Sequence, residues 1–440
     1  MPDPAATIRS KLTRRLVAPL TFLTFLNSID RVNVSFAALQ MNRELGLSPE
    51  QYGFGVGLFF VGYLTCSFPH TALLQRVGAR RWIFGAVLLW GSIATALSLI
   101  QNAGQFYVLR VLLGAAESGF APGIVFIMSQ WMPQRFRASS IAGSMLAIPI
   151  SMILGAPLSG WLLTLHTGLP WSGWRFMFLV EGLVTVAAAF ATPALFVDEP
   201  TAARWLSSDE KRWLTRELEH ERAPAQAAAG RGPSVRSLLR IGPLWAAAAV
   251  WFSLMSGTYG IIYWLPQVIK QLSGLGDLAV SALSATPWVG LGAGMLISAW
   301  HSDLTQERRW HVALSALLAA AGLLGAALFG QRWPALLCLT AGAFGLGGAQ
   351  GAFWALPTSL LDRRVAAAGL TLITVFGSAG GLIMPPLIGL ARARTGSFAV
   401  SAGALALLLC CGAVMVTWMR APAASAPAEL PPGVPDSPGA

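Results

Sequence analysis

Residues 110–122 read RVLLGAAESGFAP. Arg110 and Glu117 are the charged residues of a stretch, Phe106 to Met128, that is otherwise mostly aliphatic. A run of this kind can cross about 30 Å of hydrocarbon, which takes roughly 20 apolar residues. Eleven comparable windows flank it, giving twelve in all: 16–36, 52–75, 82–100, 104–130, 138–163, 175–197, 242–264, 279–300, 310–330, 334–361, 366–391 and 398–419. Composition agrees, with 55% hydrophobic and 11% charged residues and a mean hydropathy of +0.61, where a soluble domain carries about 25% charged residues. The expected fold class is an all-α integral membrane protein with twelve transmembrane helices.

The net charge of +11 is unevenly distributed. With both termini cytoplasmic, 22 of the 30 Lys and Arg fall in cytoplasmic segments and six in outer loops. That is the positive-inside pattern, so the charge orients the chain and gives no argument for a nucleic-acid partner. MPDPAATIRSKLTRR (1–15) runs into the first span without a small-residue cleavage site and reads as the tail of a retained helix. Cys66, Cys338, Cys410 and Cys411 all lie in spans without C-x-x-C spacing, and the five histidines are scattered. No metal or cofactor is expected, and no hydrolytic motif argues for an enzyme.

The loop 198–241 separates two six-span bundles, 16–197 and 242–419. Within it SSDEKRWLTRELEHER (207–222) reads as an amphipathic helix on the cytoplasmic surface, followed by a flexible linker, APAQAAAGRGP. The Pro/Ala-rich tail 420–440 is expected to be disordered. The halves read as weak parallel repeats. GAPLSGWL (155–162) matches MPPLIGLA (384–391), and GAAESG (114–119) matches GGAQGA (347–352), which sets Gln350 opposite Glu117. Duplicated halves place a binding site between them near the bilayer midplane.

Deep charge is concentrated in the first half: Asp30 and Arg31 in span 1, Arg110 and Glu117 in span 4. Each such residue costs about 2.5–3.5 kcal/mol at a helix centre, so they need partners or water. Arg110 and Glu117 share a helix face but stand about 10 Å apart along the axis, which leaves Asp30-Arg31 as the expected partners. Two arginines and two carboxylates cancel. If Asp30 and Glu117 take up protons, the arginines lose their counterions and the site attracts an anion. Planar guanidinium suits a carboxylate, which it grips bidentately. The pattern predicts a proton-linked carrier of organic anions, with Asp30 and Glu117 carrying protons and Arg31 and Arg110 holding substrate. Tyr63, Tyr259, Gln350, Trp354, Thr374 and Ser378 are candidates to complete the site. The plainer readings are salt bridges and hydrogen bonds that pin helices together. Within transport the competing reading is an exchanger or facilitator, in which the carboxylates only balance the arginines. A non-transporting receptor would need an output module, and neither the middle loop nor the tail resembles one.

The chain resembles the anion:cation symporter branch of the major facilitator superfamily, which includes carriers of galactonate, hexuronates, tartrate and phthalate. The resemblance rests on IDRVN (29–33), RVGARRW (76–82), RVLLGAAESGFAPG (110–123), WMPQRFRA (131–138), GAPLSGWL (155–162), GWRFMFLVEG (173–182), YWLPQVIK (263–270), SDLTQERRW (302–310) and TGSF (395–398), and covers about residues 15–420. It implies alternating access by two rocking bundles. It also implies proton transfer at Asp30 and Glu117, substrate contact at Arg31, Arg110 and Tyr63, and a cytoplasmic latch of Asp303 with Arg308. Gln75 replaces a common Asp in the loop after span 2, which predicts a differently paired latch there. Thr374 and Ser378 stand where sugar-acid carriers tend to have asparagines, which favours a small dicarboxylate or an aromatic acid over a polyhydroxy acid. The expected partners are a small organic acid, protons and the lipid bilayer. The expected setting is a bacterial inner membrane, with one chain, a monomer, enclosing the pathway.

Overall fold

The computed structural model describes residues 4–165, 171–227, 240–329, 332–361 and 363–419. The expected disordered tail, most of the linker and His166 lie outside them. A short helix, Pro4–Leu12, and a π-type turn, Thr13–Val17, lead into twelve long helices. These are α1 Ala18–Glu44, α2 Pro49–Val77, α3 Ala79–Ala96, α4 Ala103–Trp131, α5 Gln134–Thr164 and α6 Gly173–Leu195, then α7 Gly242–Ser273, α8 Asp277–Thr305, α9 Arg309–Phe329, α10 Arg332–Thr358, α11 Arg363–Thr395 and α12 Ala399–Trp418. Eleven of them are long and apolar enough to cross a membrane. The exception, α1, is 27 residues long, about 40 Å, so it has the length. It falls short in hydropathy because Thr24, Asn27, Ser28, Asp30, Asn33 and Ser35 lie on it, and all of these are buried inside the bundle.

Local chemistry sets the helix ends. At the start of α2, Ser48 and Gln51 form a capping box ahead of Pro49. Asn102 caps α4 through the Gln105 amide at 3.0 Å. Span 4 is broken between Glu117 and Phe120. Pro122 has no N–H to give the Ser118 carbonyl four residues earlier, and Ser67 Oγ of α2 donates to that carbonyl at 3.4 Å. Glu117 therefore sits at a helix break.

In the first half α2 packs on α4 and α3 on α6; in the second α10 packs on α8 and α9. The α2–α4 approach depends on missing side chains: a Cβ at Gly114 would lie 1.8 Å from the Phe59 carbonyl oxygen, and one at Gly62 would lie 2.0 Å from that of Val111. Gly114→Val should force the two helices apart, costing about 1–3 kcal/mol or more by overpacking, seen as a lower thermal midpoint in detergent.

The halves meet through α2 on α11, α1 on α7 and α5 on α8, at the end of the bundle away from the termini. There Gln40 Nε2 donates to Asp277 Oδ2 at 2.9 Å, and the Tyr52 hydroxyl donates to the Tyr263 carbonyl at 2.8 Å. A Cβ at Gly53 would lie 2.4 Å from the Pro385 carbonyl oxygen. Phe60 lies against Gly381. Thr374, on the same face of α11 two turns nearer the termini, is exposed, so α2 and α11 part beyond Phe60. The molecule is closed at the far end and opens toward the end that carries its termini.

The middle-loop helix runs Ser208–Ala227, further than the sequence pattern indicated, and takes up the first residues of the expected linker. Its apolar face is not on lipid: Leu214 and Leu218 are buried. It pairs with the first half through Lys11–Glu210 at 2.7 Å and Arg137–Glu221 at 3.2 Å. Partial burial pushes the Glu210 carboxyl up, but bonds from Lys11 and Ser207 outweigh this and hold it below the usual range. Its contribution is thus present at neutral pH and is lost as pH falls through the lowered value. Acidification should loosen this helix by the modest amount expected of a surface pair, about 0–1 kcal/mol, read as lower amide protection over 208–222 once rates are normalised to the intrinsic exchange rate at each pH.

Candidate functional site

The helix break brings Glu117 against α1. Arg31 Nε lies 3.1 Å and Nη2 3.0 Å from Glu117 Oε2, and Arg31 Nη2 also reaches Asn27 Oδ1 at 3.3 Å. The Arg31 guanidinium lies 5.4 Å from the Phe59 ring centre and 5.1 Å from that of Tyr63. Arg110 lies 4.8 Å from the same Phe59 ring. It is fully buried, and none of its Nε, Nη1 and Nη2 atoms has a hydrogen-bond partner. The Tyr263 hydroxyl faces it closely enough to interact but is itself without an aligned hydrogen bond.

The facing wall comes from α7. Tyr259 packs edge-on to Phe60 at 4.7 Å and stacks with Tyr263 at 6.3 Å. Arg31, Arg110, Glu117, Tyr63 and Tyr259 are therefore brought together, with Phe59, Phe60 and Tyr263 as members that the sequence reading missed. An aromatic in an apolar span gives no sign of whether it faces lipid or cavity.

Other candidates stand elsewhere. Asp30 does not join the arginines, which corrects the expected pairing. It accepts from Thr185 Oγ1 at 2.7 Å and Trp90 Nε1 at 3.2 Å, on α6 and α3. Adjacent residues on a helix do not share a face, so Arg31 points to α4 while Asp30 points away. Gln350 Nε2 donates to Thr258 Oγ1 at 2.9 Å, and Trp354 packs on Trp251 at 4.6 Å, both within the second half. The Thr374 and Ser378 hydroxyls donate to carbonyls of their own helix, Leu370 at 2.9 Å and Thr374 at 3.1 Å. Asp303 pairs with Arg308 at 2.6 Å in the α8–α9 connection. After α2, Asp198 Oδ1 accepts from the Arg80 amide at 2.9 Å and supplies a carboxylate to that turn. A fifth deep ionisable residue, Glu181, is buried on α6. It lies within the 175–197 window, where a lone acid should have drawn notice.

Two guanidinium groups, one part-exposed and paired with Glu117, the other fully buried without a hydrogen-bond partner, thus lie against one phenylalanine ring where the two bundles meet, with a tyrosine wall opposite. The arrangement can hold an anion. Among known proteins, the chain is 39% identical over 398 residues to an Agrobacterium vitis protein named for tartrate transport, covering 90% of this chain and 91% of that one. It is 36% identical over 409 residues to the inner membrane transport protein RhmT of Escherichia coli, covering 92% and 94%. The fold matches a bacterial homologue of the human lysosomal transporter Spinster, solved inward-facing and occupied, with a TM-score of 0.77 at 16% identity over 92% of this chain and 96% of that one. Residues 20–385 match the family Major Facilitator Superfamily. Twelve helices in two bundles that meet at one end, around a cleft lined from both, are what that match leads one to expect, and the chain belongs to this superfamily of membrane transporters.

Proposed function

We propose that the protein is a proton-coupled symporter that takes a small organic carboxylate across a bacterial inner membrane. The observation that carries this reading is Arg110: a fully buried guanidinium with three nitrogens lacking hydrogen-bond partners, beside an arginine already matched by Glu117. A buried charge without a partner is costly, and a carboxylate arriving at Arg110 supplies the missing acceptors in bidentate form. Protonation of Glu117 would release Arg31 to share the anion, which links substrate and proton. Asp30 is the second carboxylate of this coupling.

A dicarboxylate fits best. Arg31 and Arg110 flank one ring, Tyr63 and Tyr259 supply hydroxyls nearby, and a relative is named for tartrate transport. Thr374 and Ser378 have spent their donors on their own helix, which disfavours a substrate with many hydroxyls. Gln350 and Trp354 shape the second-half wall. With the termini cytoplasmic, the opening faces inward, and Asp303 with Arg308 belongs to the latch that closes that side in the other state.

The test is uptake into proteoliposomes. An acid chosen by thermal stabilisation across a panel of mono- and dicarboxylates should accumulate when the outside is acidic and only equilibrate when the gradient is collapsed. Equal uptake in both conditions would replace symport by facilitated exchange.

A further inference from the structure

Glu181 has no part in the site above, yet it is among the most enclosed acids of the molecule. Its Oε2 accepts from Asn33 Nδ2 of α1 at 2.9 Å and its Oε1 from Ser159 Oγ of α5 at 2.8 Å. One turn along both helices Thr185 bonds Asp30, so α1 and α6 are joined by two successive rungs, each built on a carboxylate. Asp30 lies within electrostatic range of both Glu117 and Glu181. The three acids therefore form a row from α4 through α1 to α6.

No base is spent on this end of the row. The charged groups on the elements packed against α6 are Asp30, Arg31, Arg43 and Glu44 of α1, Arg80 and Arg81 of α3, and Arg135 and Arg137 of α5; Arg175 lies on α6 itself. Arg31 is engaged by Glu117, Arg175 by Glu44, Arg135 by Glu217 and Arg137 by Glu221, while Arg43, Arg80 and Arg81 stand at helix ends. Among the described residues Glu181 bonds to neutral groups alone, as a carboxyl that gains and loses a proton would.

Its surroundings also give it a side. Asn33 and Ser159 line a cavity of about 10 Å³ together with Ile29 and Gly155 of the first half and Trp288 of the second, the size at which one water begins to fit. Asn33 Oδ1, buried, has no hydrogen-bond partner. The cavity lies on the α5–α8 seam toward the closed far end, just inside the point where Ser281 meets Gly160. Rocking the halves to open the far end would part this seam and lift Trp288 from Asn33 and Ser159.

We propose that Glu181 is a third proton-carrying carboxylate of the transport cycle, reached from the far side through the α5–α8 seam and exchanging its proton with Glu117 by way of Asp30. This rests on the proton-coupled reading above, so two measurements are needed. In proteoliposomes, the ratio of protons to substrate moved is recorded for wild type and Glu181→Gln, with external pH and labelled acid followed together. The expected result is one proton fewer per substrate in the variant. A slower variant with an unchanged ratio has lost only structure, and that outcome overturns the proposal. Independently of transport, infrared spectra of substrate-free wild type across pH should contain a neutral carboxylic-acid carbonyl band. The band should appear on acidification, vanish in Glu181→Gln and shift in Ser159→Ala, which leaves the acid in place should the first variant fail to fold. If wild type moves no protons with substrate, the symport reading fails and the infrared titration alone decides whether Glu181 takes a proton. If no such band belongs to Glu181 at any pH, the inference falls.

Discussion

Replacing Arg110 with methionine should abolish binding of the organic anion and at the same time leave the thermal midpoint of the substrate-free protein unchanged or raised. The two halves of this expectation have one cause. Arg110 is buried with its nitrogens unsatisfied, so it draws little stability from the fold, and an apolar side chain of similar length removes a desolvated charge. Such replacements range from neutral to about 1–4 kcal/mol stabilising. Losing a charged partner from a buried pair costs about 2–5 kcal/mol of affinity, on the order of 30-fold to several-thousandfold at 1.4 kcal/mol per tenfold. Isothermal titration and thermal unfolding of the same preparations check both. A large drop in stability in Arg110→Met would show instead that the guanidinium holds the helices together.

The second large effect is expected at Glu117. Glu117→Gln keeps the shape of the Arg31 contact but cannot release or bind a proton. A pH difference of one unit is worth about 1.4 kcal/mol per proton, or about tenfold accumulation for a symporter moving one. The variant should exchange labelled for unlabelled substrate yet stop at equal concentrations under that gradient. Accumulation like that of wild type would remove Glu117 from the coupling. Stability should move opposite to the Arg110 case, because Arg31 loses its counterion when the carboxylate goes.

Much of the architecture could be read from periodic apolar runs, since a helix that crosses lipid has to satisfy its own backbone. The Arg31–Glu117 pair was legible for a related reason: two opposite charges in neighbouring spans have few other ways to be tolerated. Asp30 was misplaced because chain adjacency says nothing about facing; one residue of rotation turned it toward Trp90 and Thr185. Glu181 carried the same signal as Glu117 but stood within a motif that marked family. Phe59, which lies beside both guanidinium groups, could not be told from a lipid-facing ring, and only three-dimensional packing separates the two.

Among the described residues, the buried carboxylates and the buried arginine all lie on α1, α4 and α6, and the wall opposite them is made of the uncharged Tyr259 and Tyr263. On the proposed reading, one half would handle protons and charge while the other presents shape. Substitutions on α7, α10 and α11 would then change which molecule is accepted without disturbing how the step is powered. New diets would be within reach of single mutations, with the power source inherited intact.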